Sequence, residues 1–265
     1  MGPLVITAWA GAAEAIKAIT SPSQDLTLSL TRPGMLARVL VRQGQKVRAG
    51  EVLVQLEDSV ERRQAALLKA KADDTSAIRA TKLKLERAMK MLAKVRAAFV
   101  SNAAPQRELD DAQLDANMAQ IDVLAASLAS EQDMGRYEQA KLELDRMRLV
   151  SPADGEIEKL IAKAGESVDA LAPLLRLVNV DPLWIDTPVP LAIGRHIQTG
   201  QKAMIQLPGL ENPVEGKVIH VSRVADAASE TLEVRVELPN PKARPAGEHV
   251  TVTFPEHAKA AKDAK

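Results

Sequence analysis

Two stretches of this chain share one pattern of glycines and apolar residues at a fixed spacing, and that repeat limits the fold more than any other feature. Arg32–Glu57 reads RPGMLARVLVRQGQKVRAGEVLVQLE, and Arg148–Leu177 reads RLVSPADGEIEKLIAKAGESVDALAPLLRL. Gly34 recurs as Gly155, Gly44 as Gly165, Val47 as Val168, Leu53 as Leu174 and Leu56 as Leu177, each pair 121 positions apart with no gap. The match is one of pattern: Leu171 stands where Gly50 would recur, and Pro33 is echoed only nearby by Pro152. Short apolar runs from Leu26 to Leu56, punctuated by glycine, predict short strands joined by tight turns in which glycine tolerates positive φ. Gly34, Gly44, Gly50, Gly155 and Gly165 are accordingly assigned to structural turns.

Between the copies the period changes. Asp58 followed by Glu61 has the form of a capping box at a helix start. From there to about Val100 the chain holds neither Pro nor Gly. Ile78, Leu85, Leu92 and Phe99 are spaced by seven, with Thr81, Ala88 and Val95 at the intermediate positions, so large and small residues alternate along a narrow seam made for one partner helix. Asn102 can stop this arm, and Pro105 suits the first turn of the next. The second arm, to Arg148, repeats Leu114, Ile121, Leu128 and Leu142, with Gly135 once in that phase. Two arms of roughly 40 residues joined by a short turn make an antiparallel hairpin about 60 Å long at ~1.5 Å per residue, which must project from a domain of this size. Hinges near Asp58 and Val150 would let it tilt.

After Val178 come alternating strand-like runs, DPLWIDTPVP, QKAMIQL, VEGKVIHVSRV, TLEVRVELP and EHVTVTF, with one short helix, PLAIGRHI. Five or so short strands favour a small closed antiparallel barrel or sandwich. The chain thus divides into a start that reads as an export signal or an irregular segment (1–15), a first β half-unit (16–57), a helical hairpin (58–149), a second half-unit (150–178), a β-barrel (179–255) and a polar tail (256–265). Ala10–Ala12 form a small-residue site of the kind a signal peptidase cleaves, without the usual basic n-region. No run of 18 apolar residues is present that could span a bilayer.

Composition narrows the chemistry. The 265 residues carry 35 Lys plus Arg against 35 Asp plus Glu, and only 2% are aromatic, which leaves neither the charge nor the stacking platforms for nucleic acid. The absence of cysteine removes disulfides, thiol catalysis and zinc–thiolate sites together. No phosphate-loop, dinucleotide, nucleophile-elbow or metalloprotease motif occurs. His196, His220, His249 and His257 lack metal-ligand spacing. Met89, Met91, Met118, Met134 and Met147 are assigned to helix packing in preference to a soft metal. The pairs Asp110/Asp111 and Glu143/Asp145 read as solvated helix faces, and Trp184 as a barrel core anchor. The expected protein is not an enzyme and has no catalytic residue, metal or cofactor.

Two β half-motifs split by a helical hairpin and followed by a barrel resemble the periplasmic adaptor (membrane fusion) proteins, the HlyD-like adaptors of bacterial efflux pumps and secretion systems. The residues that carry the resemblance are GMLARVLVRQGQKVRAGEVLVQLED, LVSPADGEIEKLIAKAGESV, RVADAASETLEVRVELPN and PAGEHVTVTF, within about Ile16 to Phe254. The resemblance implies an α+β fold: a lipoyl-like barrel-sandwich hybrid whose two halves fold together, interrupted by a long antiparallel α-helical hairpin and followed by a small antiparallel β-barrel. It implies a periplasmic protein associated with the inner membrane, which links an inner-membrane transporter of RND or ABC type to an outer-membrane channel and assembles side by side into a ring. Many such adaptors add a membrane-proximal β-domain after the barrel; either that domain is absent, as in shorter secretion-type adaptors, or it lies outside this sequence.

A lipoyl-like half-motif also suits a swinging-arm carrier, which resembles this unit but presents a modified Lys on the turn between its halves. Here no Lys lies from Leu56 to Arg63. A soluble coiled-coil scaffold is the other alternative. In channel-coupled adaptors the hairpin tip carries a basic residue, then Leu, then Ser ahead of an acidic run; aligned on QRELDDA, those places hold Lys94, Ala98 and Pro105. Lys94, Ala98, Phe99, Asn102, Pro105, Gln106 and Arg107 are the candidate partner-binding residues, and they read equally as a solvated turn.

Overall fold

The computed structural model describes residues 15–255, so the readings placed on 1–14 and on 256–265, including Ala10–Ala12 and His257, lie outside the described residues. In chain order the elements are β1 (Ile16–Ser29), β2 (Gly34–Val39), β3 (Lys46–Val47), β4 (Val52–Leu56), α1 (Ser59–Ala72), α2 (Ser76–Val100), α3 (Gln106–Asp145), β5 (Arg148–Val150), β6 (Gly155–Leu160), β7 (Ser167–Val168), β8 (Pro173–Pro190), α4 (Leu191–Gly194), β9 (Lys202–Gln206), β10 (Val214–Asp226), β11 (Thr231–Leu238) and β12 (His249–Thr253).

The repeat is a two-fold exchange. Gly34 pairs with Val168 and Val47 with Gly155, so one pairing occurs twice, with each residue replaced by its counterpart 121 positions away. The hydrogen bonds obey the same rule: Leu36 N donates to Glu166 O at 2.8 Å as Ile157 N does to Gln45 O at 2.9 Å, and Gly165 N to Leu36 O as Gly44 N does to Ile157 O. Within the halves, Leu36 lies opposite Leu56 and Val39 opposite Val54, matched by Ile157 opposite Leu177 and Leu160 opposite Leu175. Two sheets result, β5-β4-β2-β7 and β1-β8-β6-β3, and each borrows outer strands from the other half. One core fills the space between them, in which Leu36, Leu53 and Leu56 pack with Ile157, Leu174 and Leu177. A single half would leave this apolar face open; two halves bury it.

Two of the assigned turn glycines do another job. Gly44, Gly50 and Gly165 have positive φ, whereas Gly34 and Gly155 open strands β2 and β6 with ordinary backbone angles. A Cβ on Gly155 would stand 2.6 Å from the carbonyl oxygen of Val178, so the requirement there is close approach of two backbones.

The barrel closes through β1-β12-β9-β10-β11-β8 and back to β1. Its sixth strand is the first part of β1, where Ile16–Ile19 pair with Val252–His249, although the sequence division places residues 16–57 wholly in the half-unit. The closing partner lies more than 200 residues away, beyond the reach of local pattern. β1 and β8 therefore run unbroken through both β domains, paired from Ile19↔Asp186 to Ser29↔Pro173. Along β8 the alternation is regular: Leu183, Ile185, Thr187 and Val189 are buried while Trp184 and Asp186 face outward. Trp184 is thus not a core anchor. The guanidinium of Arg235 lies 4.6 Å from its ring centroid and bridges to Asp186 at 2.6 Å, on the outer wall.

Candidate functional site

The hairpin projects from its β base because both arms leave from adjacent strands, α1 after β4 and α3 into β5, which pair at Val52↔Val150. The expected capping box does not form. Asp58 sits at the N-cap position without a side-chain cap bond. Its carboxylate is buried and accepts from Gln55 Nε2 at 2.7 Å and from Arg62 Nη2 at 2.7 and 2.9 Å, while Gln55 Oε1 accepts from Arg38 at 3.0 Å. Burial would raise the Asp58 pKa, but the bonds from Arg62 and Gln55, with the charges of Arg62 and Arg148, hold it below its ordinary value. On the other arm Glu143 is bridged to Arg32 of the β1–β2 loop and to Arg146, so it is not a simple solvated face. The positions expected to act as hinges are thus tied: Asp58 by this network, Val150 within β5.

The first arm is two helices, not one. The chain leaves helical hydrogen bonding at Asp73–Thr75, where the Ser76 amide is taken by Asp74 Oδ1 at 2.8 Å. Beyond it the predicted seam is present: Ile78, Thr81, Leu85, Ala88, Leu92 and Phe99 are half-buried and Val95 is buried. α2 and α1 both pack on α3.

On α3 the predicted stripe points the other way. Leu114, Ile121, Leu128 and Leu142 are 57, 64, 54 and 61% exposed, and the face toward α2 is made by buried Ala112, Ala116 and Ala119 instead. The large seam residues of α2 need small residues opposite them, and alanine carries too weak a hydrophobic signal to mark that face against leucine. The heptad read from the sequence is therefore a second, outward apolar stripe. The methionines differ: Met147 is buried in the β core, whereas Met89, Met91, Met118 and Met134 are largely exposed on the hairpin.

At the tip α2 ends in a Schellman motif. Ala103 N donates to Ala98 O at 2.8 Å and Asn102 N to Phe99 O at 2.9 Å, with Asn102 in the left-handed region at φ 59°. Pro105 takes the N-cap position of α3 in extended conformation, and Gln106 is the first helical residue. Gln106 bonds Asp110 at 2.8 Å, and Arg107 pairs loosely with Asp111 at 4.0 Å. Of the candidate residues the structure gathers Ala98, Phe99, Asn102, Pro105, Gln106 and Arg107 at this end, with Ala98 and Phe99 half-buried and the rest exposed. Lys94 is exposed farther down, beside a shallow groove it shares with Met91, Ala112 and Asp115. Val100, 79% exposed on the last turn of α2, is the tip residue that the sequence reading passes over. Among the described residues no helix is long and apolar enough to cross a membrane, and no group of three His, Asp or Glu is placed to hold a metal.

Comparison with known proteins gives a consistent relationship. Residues 182–257 match the family described as CusB-like, beta-barrel domain. The chain is 28% identical over 234 residues to the fatty acid resistance protein FarA of Neisseria gonorrhoeae, covering 75% of this chain and 58% of FarA. It is 25% identical over 221 residues to the macrolide export protein MacA of Escherichia coli O157:H7, covering 78% of this chain and 58% of that protein. The chain thus spans less than two thirds of the length of either relative. In fold it is similar to the crystal structure of MacA from Actinobacillus actinomycetemcomitans, with a TM-score of 0.72 at 13% identity over 91% of this chain and 78% of that one.

Proposed function

Because the chain belongs to the periplasmic adaptor, or membrane fusion protein, family, we propose that it is a non-catalytic adaptor in the periplasm that couples an inner-membrane transporter to an outer-membrane channel for efflux. The observation that carries this reading is the pair of faces on α3. One face is consumed by α2, and the opposite one presents Leu114, Ile121, Leu128 and Leu142 to solvent along the length of a projecting hairpin. A stripe of that length serves neighbouring hairpins of further copies, packed side by side into a ring, because a lone hairpin gains nothing from exposing it. The tip residues Ala98, Asn102, Gln106 and Arg107 would then meet the channel, and the outer wall of the barrel around Trp184 and Arg235 would lie nearer the transporter. The protein works by geometry: it holds two membrane components at a fixed separation and lines the way between them.

Photo-crosslinking groups at Ala98, Gln106 and Ile121 in cells test this. The expected adducts are with an outer-membrane protein from the first two positions and with a second copy of this chain from Ile121. Recovery of the chain in the cytoplasm, with no envelope adduct from any position, would instead support a soluble coiled-coil scaffold.

A further inference from the structure

The hairpin is tied at its root and cut partway along. In the first arm the i→i−4 ladder reaches Asp73 N to Lys69 O at 2.9 Å, tightens to Asp74 N to Lys71 O at 3.3 Å, and resumes only with Arg79 N to Thr75 O at 3.0 Å. Between these, the Ser76 amide is held by the Asp74 carboxylate. The opposite arm is a single helix of 40 residues, yet it contains Gly135. Mid-helix glycine costs about 1 kcal/mol relative to alanine, and such a residue ordinarily has a packing reason. Gly135 has none: a Cβ there would meet nothing within 4 Å. Its level on the hairpin is fixed by the ion pair Lys71 Nζ–Asp133 Oδ1 at 2.9 Å, which crosses between the arms and places this glycine about one turn from the end of α1. Both arms are therefore weakened within about two turns of each other, the first by a broken ladder and the second by an unforced glycine.

We infer that the hairpin bends at this level, between a proximal section (α1 with the last turns of α3) that moves with the β base and a distal section (α2 with the first turns of α3) that carries the tip. Helix bends arise where the ladder is interrupted or where glycine weakens it, and here the two causes lie close together. At the root, by contrast, each arm is bonded to the β base: Asp58, held to Arg62 of α1, accepts from Gln55 of β4, and Glu143 pairs with Arg32 of the β1–β2 loop. Tip displacement is then absorbed above the base, and the shared core of the two half-units is left undisturbed. The inference does not depend on what the tip binds.

The chain has no cysteine, so paired spin labels report only where they are placed. Labels at Ala66 and Ala80 straddle the break, and labels at Lys82 and Arg96 span the same number of residues within α2. The full chain is expected to give a distance distribution about twice as wide for the straddling pair. Substituting Asp73, Asp74 and Thr75 by alanine together with Gly135→Ala should narrow it to the width of the α2 pair, with helicity by circular dichroism unchanged or raised. Equal widths for the two pairs in the native sequence would overturn the inference. So would a narrow straddling pair accompanied by a broad distribution between Gln43 and Gln64, which would put the bend at the root.

Discussion

The two half-units present one backbone plan with two exits. Residues 26–56 and 147–177 pair strand for strand, and even the register shifts correspond, Leu28/Ser29 in one and Val52/Val54 in the other. One residue past the plan they part. After Leu56 the chain enters SVERRQAALL and turns helical at Ser59; after Leu177 it reads VNVDPLWIDTPVP and stays extended to Pro190. The first continuation is rich in straight-chain helix formers and alanine. The second is β-branched, and its Pro182, Pro188 and Pro190 remove amide donors that a helix would need. The lesson is that one module can feed either a hairpin or a barrel, with the direction set by the few residues at its edge. Whatever the exit imposes should appear as an asymmetry between counterpart residues.

The largest asymmetry expected is at Gly155 and Gly34. Because β8 continues straight, the Val178 carbonyl lies over Gly155, 2.6 Å from where a Cβ would be. The counterpart chain has already turned away at Glu57, and a Cβ on Gly34 would meet only the Leu56 side chain at 3.4 Å. Gly155→Ala must displace backbone and is expected to cost about 2–3 kcal/mol, against less than ~1 kcal/mol for Gly34→Ala. Urea unfolding of the two variants measures this directly, and equal losses would break the argument from exit direction.

How much of this was legible beforehand differs by region for physical reasons. The exchange between the halves and the α2 seam could be read because both depend on local residue pattern, at an offset of 121 in one case and a period of seven in the other. Three features could not. The barrel role of Ile16–Ile19 depends on pairing with β12, far along the chain and set by topology alone. The inner face of α3 is built from Ala112, Ala116 and Ala119, so the larger Leu114, Ile121 and Leu128 dominated the periodicity while facing outward. Trp184 looked like core because it stands between Leu183 and Ile185, yet strict alternation along a strand puts it on the opposite side from both. The tip turn was visible through Asn102 and Pro105, and Phe99 through its place in the seam, but the pattern could not show that Val100 would stand free.

The next asymmetry lies at the exits themselves, between Asp58 and its counterpart Asn179. Asp58 is buried and its side chain is bonded to Gln55 and Arg62, whereas the half-buried Asn179 side chain accepts the Asp181 amide at 3.0 Å and meets no charged partner there. Asp58→Asn removes the charge that Arg62 and Arg148 face and is expected to cost about 1–2 kcal/mol at pH 7. Asn179→Asp should stay within ~0.5 kcal/mol. The pH dependence fixes the sign. The folded Asp58 carboxyl titrates below its ordinary value of 3.8, so its contribution is complete above that value and is lost as pH falls through the lowered one. Stability of the native chain should therefore decline more steeply below about pH 4 than that of Asp58→Asn. Parallel acid limbs in thermal melts from pH 2 to 5 would show that the root network carries no such charge.

The smallest asymmetry is the one the sequence displayed as a mismatch. Gly50 and Leu171 occupy equivalent turns and make equivalent bonds, Gly50 N to Ser151 O at 2.8 Å and Leu171 N to Leu30 O at 2.7 Å. Both are in the left-handed region, at φ 82° and 64°. Glycine enters it freely; leucine is strained there by about 1–2 kcal/mol, and Leu171 recovers little by burial, being 70% exposed. Leu171→Gly relieves the strain but also loosens the unfolded chain, and the net expected gain is about 0.5 kcal/mol. Gly50→Leu should lose about 1 kcal/mol by the same reasoning. If Leu171→Gly instead weakens the protein by more than the glycine entropy alone, the exposed leucine makes a contact in solution that offsets its backbone strain, and the neighbouring copy of a ring would be the first place to seek it. Repeating the melt across a range of protein concentrations separates these cases, since only a contact between copies makes the Leu171 contribution grow with concentration.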